Sequence, residues 1–268
     1  MVKSRLSLRN EELTIKFHNH QTEKRDIVIG VILAGGDGTR LTKSTGQNIC
    51  KSLRTINDKH LIEFALDNLI ELNATEVFIV VGKQGDLIKD AIGEIYKGLS
   101  VRYVHQPQQK GLVDAFVQAL LVLECEETVI LQLADELFLD LKTETIKNAV
   151  EDEAYDFYCG VTTEENPEKI KNNFSVETDS NSVLIKCIEK PQIVINNIKG
   201  TGFSIFNGRT QKVIKDTYKT MPQKIKDICE CFNYLTSTGY RGRAFLVAEK
   251  EFNINTASDL AEAEKFIR

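Results

Sequence analysis

Residues 30–40 combine small and charged residues in a pattern that could bind phosphate. They read G-V-I-L-A-G-G-D-G-T-R, and Lys51 follows eleven residues after Arg40. Glycines let a backbone turn sharply and approach a ligand closely. The N–H groups that such a turn exposes form a cradle for anions, to which Arg40 and Lys51 would add positive charge. The segment therefore predicts a phosphate-binding loop.

The spacing excludes two common phosphate motifs. The dinucleotide fingerprint needs a third glycine where this chain has Leu41, and a Walker A loop needs a glycine where Cys50 precedes Lys51. The pattern L-A-G-G-D-G-T-R-L, with its later lysine, closely resembles the signature of the sugar-1-phosphate nucleotidyltransferases. Within that family the glucose-1-phosphate thymidylyltransferases and uridylyltransferases are closest in pattern. Two prolines of the family signature are replaced by Lys43 and Ser52.

The resemblance implies an enzyme that makes an activated sugar. A sugar-1-phosphate oxygen would attack the α-phosphorus of a nucleoside triphosphate, giving an NDP-sugar and pyrophosphate. UTP or dTTP with glucose 1-phosphate is the favoured substrate pair. No side-chain nucleophile is needed, because the protein's tasks are to align two polyanions and to neutralise charge. Phosphoryl-transfer sites do this with N–H groups, cations and a divalent metal, so Mg²⁺ is the expected cofactor.

The nucleotide is expected to bind two segments. By resemblance, Arg40 would hold the triphosphate and the leaving pyrophosphate, and Lys51 would lie near the α-phosphate. Residues 106–115 resemble the family's Q-x-x-x-x-G-L-x-x-A, in which Gln106 would bond the base and Gly111 would let it approach. An amide can donate to and accept from a pyrimidine edge. The expected nucleotide-binding residues are Leu33, Ala34, Gly35, Gly36, Gly38, Thr39, Gln106 and Gly111.

Asp135 is the expected metal ligand. It follows an apolar strand in a segment that resembles the family's L-G-D-x-x-F, with Ala134 in place of the glycine. Hard cations prefer such oxygen ligands. The second ligand falls in a segment resembling W-x-D-I-G-T-P-E-D-L. Counting back from Leu260 gives Asn253, and Asn255 is the alternative. An amide brings no charge, so metal affinity should be lower than with two carboxylates.

Two further segments resemble the sugar side of the family. Residues 189–191 read E-K-P, in which Glu189 would reach sugar hydroxyls and Lys190 would hold the sugar phosphate. Residues 199–206 resemble a sugar-facing strand in which Gly202 is expected to contact the sugar, although a glycine stands where the family has asparagine. The expected catalytic residues are Arg40, Lys51, Asp135 and Lys190.

Apolar strands and amphipathic helices alternate up to about residue 150. Strands are predicted at 26–33, 77–81, 101–104 and 128–133, and helices at 61–70, 84–96 and 112–123. Such alternation predicts a parallel sheet with helices on both faces and ligands at the carboxyl ends of the strands. We expect an α/β protein with a Rossmann-like, three-layer α/β/α nucleotidyltransferase fold of the GT-A-like type and a mainly parallel mixed sheet.

After about residue 150 short strands dominate, which predicts a smaller sugar-binding β subregion laid on the first sheet. Strands are predicted at 157–162, 174–178, 183–189, 202–206 and 243–248, and helices at 209–219, 222–237 and 258–267. We divide the chain into an N-terminal extension, 1–25, an arm or hairpin of unknown function, and a nucleotidyltransferase domain, 26–268. Its nucleotide-binding part covers about 26–150 and its sugar-binding part about 151–268.

The composition is that of a soluble globular protein. A net charge of −5 over 268 residues gives no basic field for nucleic acid. No apolar run reaches the roughly 18 residues of a membrane span, and the N-terminus lacks an apolar signal core, so a cytoplasmic location is expected. The six scattered cysteines favour reduced thiols over a zinc site. Family members often assemble, so a homo-oligomer is among the expectations.

Two alternatives stay open. Asn253, Ser52, Ala134 and Gly200 depart from the family pattern, which would suit a catalytically weak regulatory subunit that binds sugar nucleotide. A cytidylyltransferase for a non-sugar phosphate would share the glycine loop but would not need the sugar-binding role of Glu189.

Overall fold

The structure, a computed structural model, describes residues 28–36, 50–123 and 127–267. The predicted N-terminal extension and the predicted site residues Gly38, Thr39 and Arg40 lie outside these ranges. Within them, no helix is long and apolar enough to cross a membrane.

Strands and helices alternate through the first half of the chain, as predicted. The strands are β1 (Val28–Ala34), β2 (Thr55–Ile56), β3 (Lys59–His60), β4 (Glu76–Val81), β5 (Ile95–Tyr96), β6 (Leu99–His105), β7 (Thr128–Leu133), β8 (Glu136–Leu141), β9 (Phe157–Thr163), β10 (Phe174–Thr178), β11 (Leu184–Glu189), β12 (Ile198–Phe206), β13 (Gly242–Leu246) and β14 (Ala248–Asn253). The helices are α1 (Leu61–Glu71), α2 (Gly85–Ile92), α3 (Leu112–Val122), α4 (Thr143–Glu151), α5 (Pro167–Lys171), α6 (Gly208–Thr220), α7 (Ile228–Ser237) and α8 (Ala257–Ala263). Short 3-10 turns cover Lys51–Leu53 and Pro222–Lys224.

A ten-stranded mixed sheet forms the centre of the molecule. Its order is β11-β10-β12-β7-β1-β4-β6-β5, and β9 and β13 join it through β12. Strands β7, β1, β4 and β6 are parallel neighbours, whereas β12 runs antiparallel to β7. Since β12 comes from the second half of the chain, one sheet runs through both predicted parts. The division near residue 150 stays a prediction.

Side chains of β1 alternate between two hydrophobic cores, one on each face of the sheet, as strand geometry requires. The first core holds Ile29, Val31 and Leu33, and the second holds Val28, Ile32 and Ala34. Helices α3, α6 and α7 contribute to the first core, and α1, α2 and α4 to the second. The predicted three-layer α/β/α architecture is therefore confirmed.

Three predicted helices were too long, and two of them are shortened by a break within the predicted range. The helix predicted over 84–96 ends at Ile92, because Gly93 adopts a φ of +77° at its C-terminus and a short strand follows. The helix predicted over 222–237 is a 3-10 turn followed by α7. A new helix begins there because Asp227 caps it, accepting a hydrogen bond from a backbone N–H of its first turn.

A two-stranded ribbon, which the sequence analysis missed, joins the first and second halves of the chain beside the carboxyl end of β7. The strand predicted over 243–248 is two strands, and the second of them, β14, pairs antiparallel with β8. In this register Asn253 lies opposite Glu136. The last helix, predicted over 258–267, ends at Ala263 and packs beneath the ribbon. The ribbon therefore brings the C-terminal segment beside the end of β7.

Strand β11 pairs with β10 on one side, and on its outer side a side chain takes the place of a further strand. Asn233 of α7 accepts a hydrogen bond from Cys187 N at 2.8 Å and donates one to Cys187 O at 2.8 Å. The amide thus satisfies both backbone groups of one residue, as a neighbouring strand would. This contact fixes the strand that ends at Glu189.

We expect Asn233→Ala to lower the free energy of unfolding by about 1–3 kcal/mol, because it leaves a backbone donor and acceptor without their partner. Chemical denaturation measures this change. Asn148→Ala on the exposed face of α4 is the matched control and should change stability by less than about 0.5 kcal/mol. Equal effects of the two substitutions would contradict the role given to Asn233.

Candidate active site

A cleft opens where β1 and β7 end. Its volume is about 410 Å³. It is lined by Leu33, Ala34, Gly35, Gly36, Lys51, Ser52, Gln106, Gln109, Gly111, Leu112, Ala115, Leu133, Ala134 and Asp135. The described part of the glycine loop, the lysine, the base segment and the predicted metal ligand therefore share one cavity. Parallel sheets bind ligands at this edge.

Strand register explains why the loop and Asp135 meet. Leu33 of β1 pairs with Leu133 of β7, so both strands end at the same level. The glycine loop then passes close to the neighbouring strand: a Cβ at Gly82 would lie 2.7 Å from Gly35 O. A side chain at Gly82 would push the loop out of the cleft.

Lys51 and Asp135 form an ion pair at the bottom of the cleft. The Lys51 ammonium contacts Asp135 Oδ2 and donates a hydrogen bond to Asn255 Oδ1 at 3.1 Å. The two charged side chains are only 11% and 23% exposed. Ile254 N donates to Asp135 O at 2.9 Å, which ties the segment after β14 to the end of β7. A carboxylate and an amide oxygen thus face one cation.

A row of amides sets the direction of the Asn255 oxygen. Asn255 Nδ2 donates to Asn253 Oδ1 at 2.5 Å, and Asn253 Nδ2 donates to Glu136 Oε1 at 3.3 Å. The Asn253 oxygen is therefore engaged by Asn255, while the Asn255 oxygen faces Lys51. Of the two alternatives for a second metal ligand, Asn255 is the one that shares a cation with Asp135.

Charged groups are buried beneath this row. Lys199 and Glu251 form an ion pair whose side chains are 4% and 1% exposed. Glu136 is equally buried and accepts a hydrogen bond from Gly202 N at 2.6 Å. Burial, with the neighbouring Glu251 and Asp135 carboxylates, raises the pKa of Glu136 well above its usual range. These groups are almost fully buried and support the cleft, and Lys199 and Glu251 also line a neighbouring cavity.

Gly202, a predicted sugar-binding residue, has a packing role in this support. A Cβ there would lie 2.3 Å from Leu133 Cγ and 2.9 Å from Glu136 Oε2. The absence of a side chain leaves room for the Glu136 carboxylate. Contact between Gly202 and a sugar stays a prediction.

A second cavity of about 330 Å³ lies beside the cleft and includes Asn253, Asn255 and Lys190. Because Asn255 bonds Lys51, the two cavities meet at the Lys51–Asp135 ion pair. Lys190 adopts a φ of +46°, and its ammonium lies 3.3 Å from Glu189 Oε1. The predicted sugar-phosphate lysine therefore lines the same cavity as Asn255.

A larger cavity lies elsewhere. It has a volume of about 540 Å³, lies between α4, β9 and β13, and contains none of the predicted site residues. Volume alone would have selected the wrong place, so the chemistry of the lining residues decides which cavity is the candidate site.

Sequence reasoning did not single out Asp114, which contacts the cleft residue Gln106. Gln106 Nε2 donates to Asp114 Oδ2 at 2.7 Å, and Tyr218 OH donates to Asp114 Oδ1 at 2.7 Å. The signal was a carboxylate within the otherwise apolar run L-V-D-A-F-V at the start of α3. Asp114 is only 5% exposed, so it belongs to the interior of the protein.

Within the described ranges, no group of three or more His, Cys, Asp or Glu side chains could hold a metal ion. Among the described residues, Asp135 is the carboxylate that contacts the Lys51 ammonium at this edge.

Comparison with known proteins agrees with this geometry. The sequence matches the family model described as Nucleotidyl transferase over residues 29–268. A relative from Haloferax volcanii, the UTP–glucose-1-phosphate uridylyltransferase AglF, is 28% identical over 239 residues, covering 88% of this chain and 94% of AglF.

Two solved structures share the fold. A chain from Bacillus anthracis, assigned as a glucose-1-phosphate thymidylyltransferase and crystallised with sucrose, has a TM-score of 0.75 at 20% identity, covering 89% of this chain and 94% of its own. The inositol-1-phosphate CTP transferase of T. maritima has a TM-score of 0.72 at 20% identity, covering 90% and 94%. Because the family model spans nearly all of the sequence, this chain belongs to the nucleotidyl transferase family.

Proposed function

We propose that the protein transfers a nucleotidyl group from UTP or dTTP to a sugar 1-phosphate, with glucose 1-phosphate favoured, and releases pyrophosphate. The observation that carries this proposal is that the glycine loop, Lys51 and Asp135 line one cleft, which meets a second cavity at the cation-facing oxygen of Asn255. The similarity to AglF, named for UTP and glucose 1-phosphate, supports this choice of substrates.

The two cavities suit the two substrates of such a reaction. The triphosphate would lie over Gly35 and Gly36, and the sugar phosphate would enter from the side of Lys190. The phosphate oxygen already carries negative charge, so it attacks the α-phosphorus without a general base, and pyrophosphate leaves with the electron pair of the broken P–O bond. Lys51, which lies where the cavities meet, would stabilise the charge that accumulates on the α-phosphate.

Asp135 and Asn255 are the residues that would hold Mg²⁺. Their oxygens already face a common cation, the ammonium of Lys51. One carboxylate and one amide fit Mg²⁺, because this ion keeps several waters and completes its shell with substrate phosphates. When bound, Mg²⁺ neutralises phosphate charge. Lys51 would then turn from Asp135 toward the α-phosphate, so a single lysine would serve two partners in succession.

Loss of the Asp135 charge should nearly abolish turnover. We expect Asp135→Asn to lower kcat for pyrophosphate release from UTP and glucose 1-phosphate by on the order of 10²–10³-fold, the usual effect of removing one group that stabilises transition-state charge. A coupled pyrophosphate assay with Mg²⁺ measures this.

Asp140→Asn, on the exposed part of β8, is the matched control and should retain wild-type turnover. Wild-type rates in Asp135→Asn would refute the role of Asp135. A wild-type protein that binds sugar nucleotide but releases no pyrophosphate with any nucleoside triphosphate and sugar phosphate would favour the regulatory subunit.

Substitution of Glu189 tests the acceptor. A hydrogen bond from a hydroxyl contributes about 1.5–3 kcal/mol with a carboxylate and about 0.5–1.5 kcal/mol with a neutral amide, so Glu189→Gln should raise KM for the sugar 1-phosphate about five- to tenfold and leave KM for UTP unchanged. Steady-state kinetics with each substrate varied in turn separates the two constants. Glu177→Gln on the neighbouring strand β10 is the control. An unchanged acceptor KM in Glu189→Gln would favour a non-sugar phosphate as acceptor.

A further inference from the structure

Both hydrogens of the Gln106 amide are used within the protein. One hydrogen bond reaches Asp114 Oδ2 at 2.7 Å and the other reaches Gly111 O at 3.2 Å. A side-chain amide has two donor hydrogens, on nitrogen, and one acceptor oxygen. A carboxylate and a carbonyl only accept, so turning the amide over would set oxygen against oxygen at both contacts. The nitrogen of Gln106 therefore faces inward.

Asp114 is itself fixed from two directions. Its second oxygen accepts a hydrogen bond from Tyr218 of α6 at 2.7 Å. It also lies in the first turn of α3, where the helix dipole favours negative charge. Burial, together with the contact to Asp114, raises the pKa of Tyr218 to about 12, so the hydroxyl keeps its proton at neutral pH and remains a donor. The carboxylate thus has little freedom to release Gln106.

The remaining atom of the amide is the oxygen, and it lies on the side of the glycine loop. A Cβ built at Gly35 would lie 3.0 Å from Gln106 Oε1. Both Gly35 and Gln106 line the cleft of about 410 Å³. Gln106 N donates to Val81 O at 2.9 Å, so its backbone is held at the end of the sheet. The Gln106 side chain therefore presents a hydrogen-bond acceptor, and no donor, to the cleft.

From the sequence alone, Gln106 could both donate a hydrogen bond to a base and accept one from it. In the structure its nitrogen is engaged by Gly111 and Asp114, so Gln106 can only accept from a base. Pyrimidines differ at the atom that matters. Position N3 of uracil and thymine carries a hydrogen and donates, whereas N3 of cytosine carries a lone pair and accepts. An amide oxygen facing N3 attracts the first kind of base and repels the second.

We propose that Asp114, supported by Tyr218, determines the specificity for the nucleobase by fixing the Gln106 amide with its oxygen toward the cleft, so that uracil or thymine binds in preference to cytosine. The inference rests on the proposed function, because it requires a nucleotide base beside Gln106. Asp114 is a positioning residue, since it acts on the base through Gln106.

The test is the ratio of equilibrium affinities for UTP and CTP, measured by isothermal titration calorimetry with Mg²⁺. We expect the wild-type protein to prefer UTP by about a hundredfold, because an unmatched polar edge in a closed site is strongly rejected. In Asp114→Asn, Tyr218 can still donate to the amide oxygen, which directs the new amide nitrogen toward Gln106. Gln106 Oε1 can then accept from that nitrogen, and only the longer contact to Gly111 O, at 3.2 Å, still favours the inward direction of the Gln106 nitrogen. The UTP-to-CTP ratio should then fall by about tenfold or more.

The ratio of the two affinities is used because general damage to the fold would weaken the binding of UTP and of CTP to the same extent. Asp86→Asn is the matched control, since Asp86 also lies in the first turn of a helix but is exposed. Tyr218→Phe keeps the Asp114 carboxylate and removes one of its supports, so it should lower the ratio by a smaller factor. Tyr218→Phe also provides the test if Asp114→Asn does not fold.

An unchanged ratio in a folded Asp114→Asn protein, or a wild-type preference for CTP, would overturn the inference. An unchanged ratio in Asp114→Asn would leave the proposed function intact, because that function is judged by pyrophosphate release, whereas a wild-type preference for CTP would also overturn the proposed choice of UTP or dTTP as the donor. Conversely, a protein that binds UTP selectively and loses this selectivity in Asp114→Asn, yet releases no pyrophosphate, would support the inference and refute the proposed activity.

Discussion

The ion pair between Lys51 and Asp135 is the interaction on which the rest of the candidate site depends. Lys51 follows the glycine loop in the chain, and Asp135 follows β7, so the pair joins the two sides of the cleft. Both charges are largely withdrawn from water, where their attraction is screened less than at the surface. An oxygen of Asn255 also accepts a hydrogen bond from the ammonium. A position that favours one cation in this way also favours another, and this is the basis for a metal there.

The ribbon of β8 and β14 explains how distant parts of the chain supply this position. It begins one residue after Asp135 and ends at Asn253, so the last segment of the chain folds back onto the end of β7. Glu136 then orients Asn253, and Asn253 orients Asn255. A second oriented amide, that of Gln106, lies on the base side of the cleft. In both places a buried carboxylate decides which atom of an amide faces the ligand.

Patterns in the sequence predicted the parts of the fold that depend on local regularity. Strands β1, β4 and β7 consist mostly of consecutive apolar residues, and α1 and α3 are apolar segments of helical length, so their existence and the shared edge of the sheet followed directly. The ribbon was missed because β8 reads E-L-F-L-D-L and β14 reads A-E-K-E-F-N, short segments with charges whose pairing depends on a partner more than one hundred residues away.

Site residues were predicted where a motif names them, but the directions of their side chains were not. Counting along the chain could reach Asn253 or Asn255, but it could not tell which of their oxygens faces the Lys51 ammonium, because hydrogen bonds between the two amides determine that orientation. Asp114 stands at an unspecified position of the Q-x-x-x-x-G-L-x-x-A motif, so only its place on a buried helix face draws attention to it. The sequence likewise allowed Gln106 two hydrogen-bonding roles, and its two inward contacts leave it one.

The central claim is that Lys51 occupies the place of a divalent cation between Asp135 and Asn255. Mn²⁺ binding without nucleotide, followed by the loss of the free-ion paramagnetic resonance signal, tests it directly. Because the ammonium competes for the Asp135 carboxylate, Lys51→Met should bind Mn²⁺ about tenfold or more tightly than the wild-type protein, and adding Asp135→Asn should remove this gain. Equal Mn²⁺ affinity in the wild-type protein and in Lys51→Met would contradict the account.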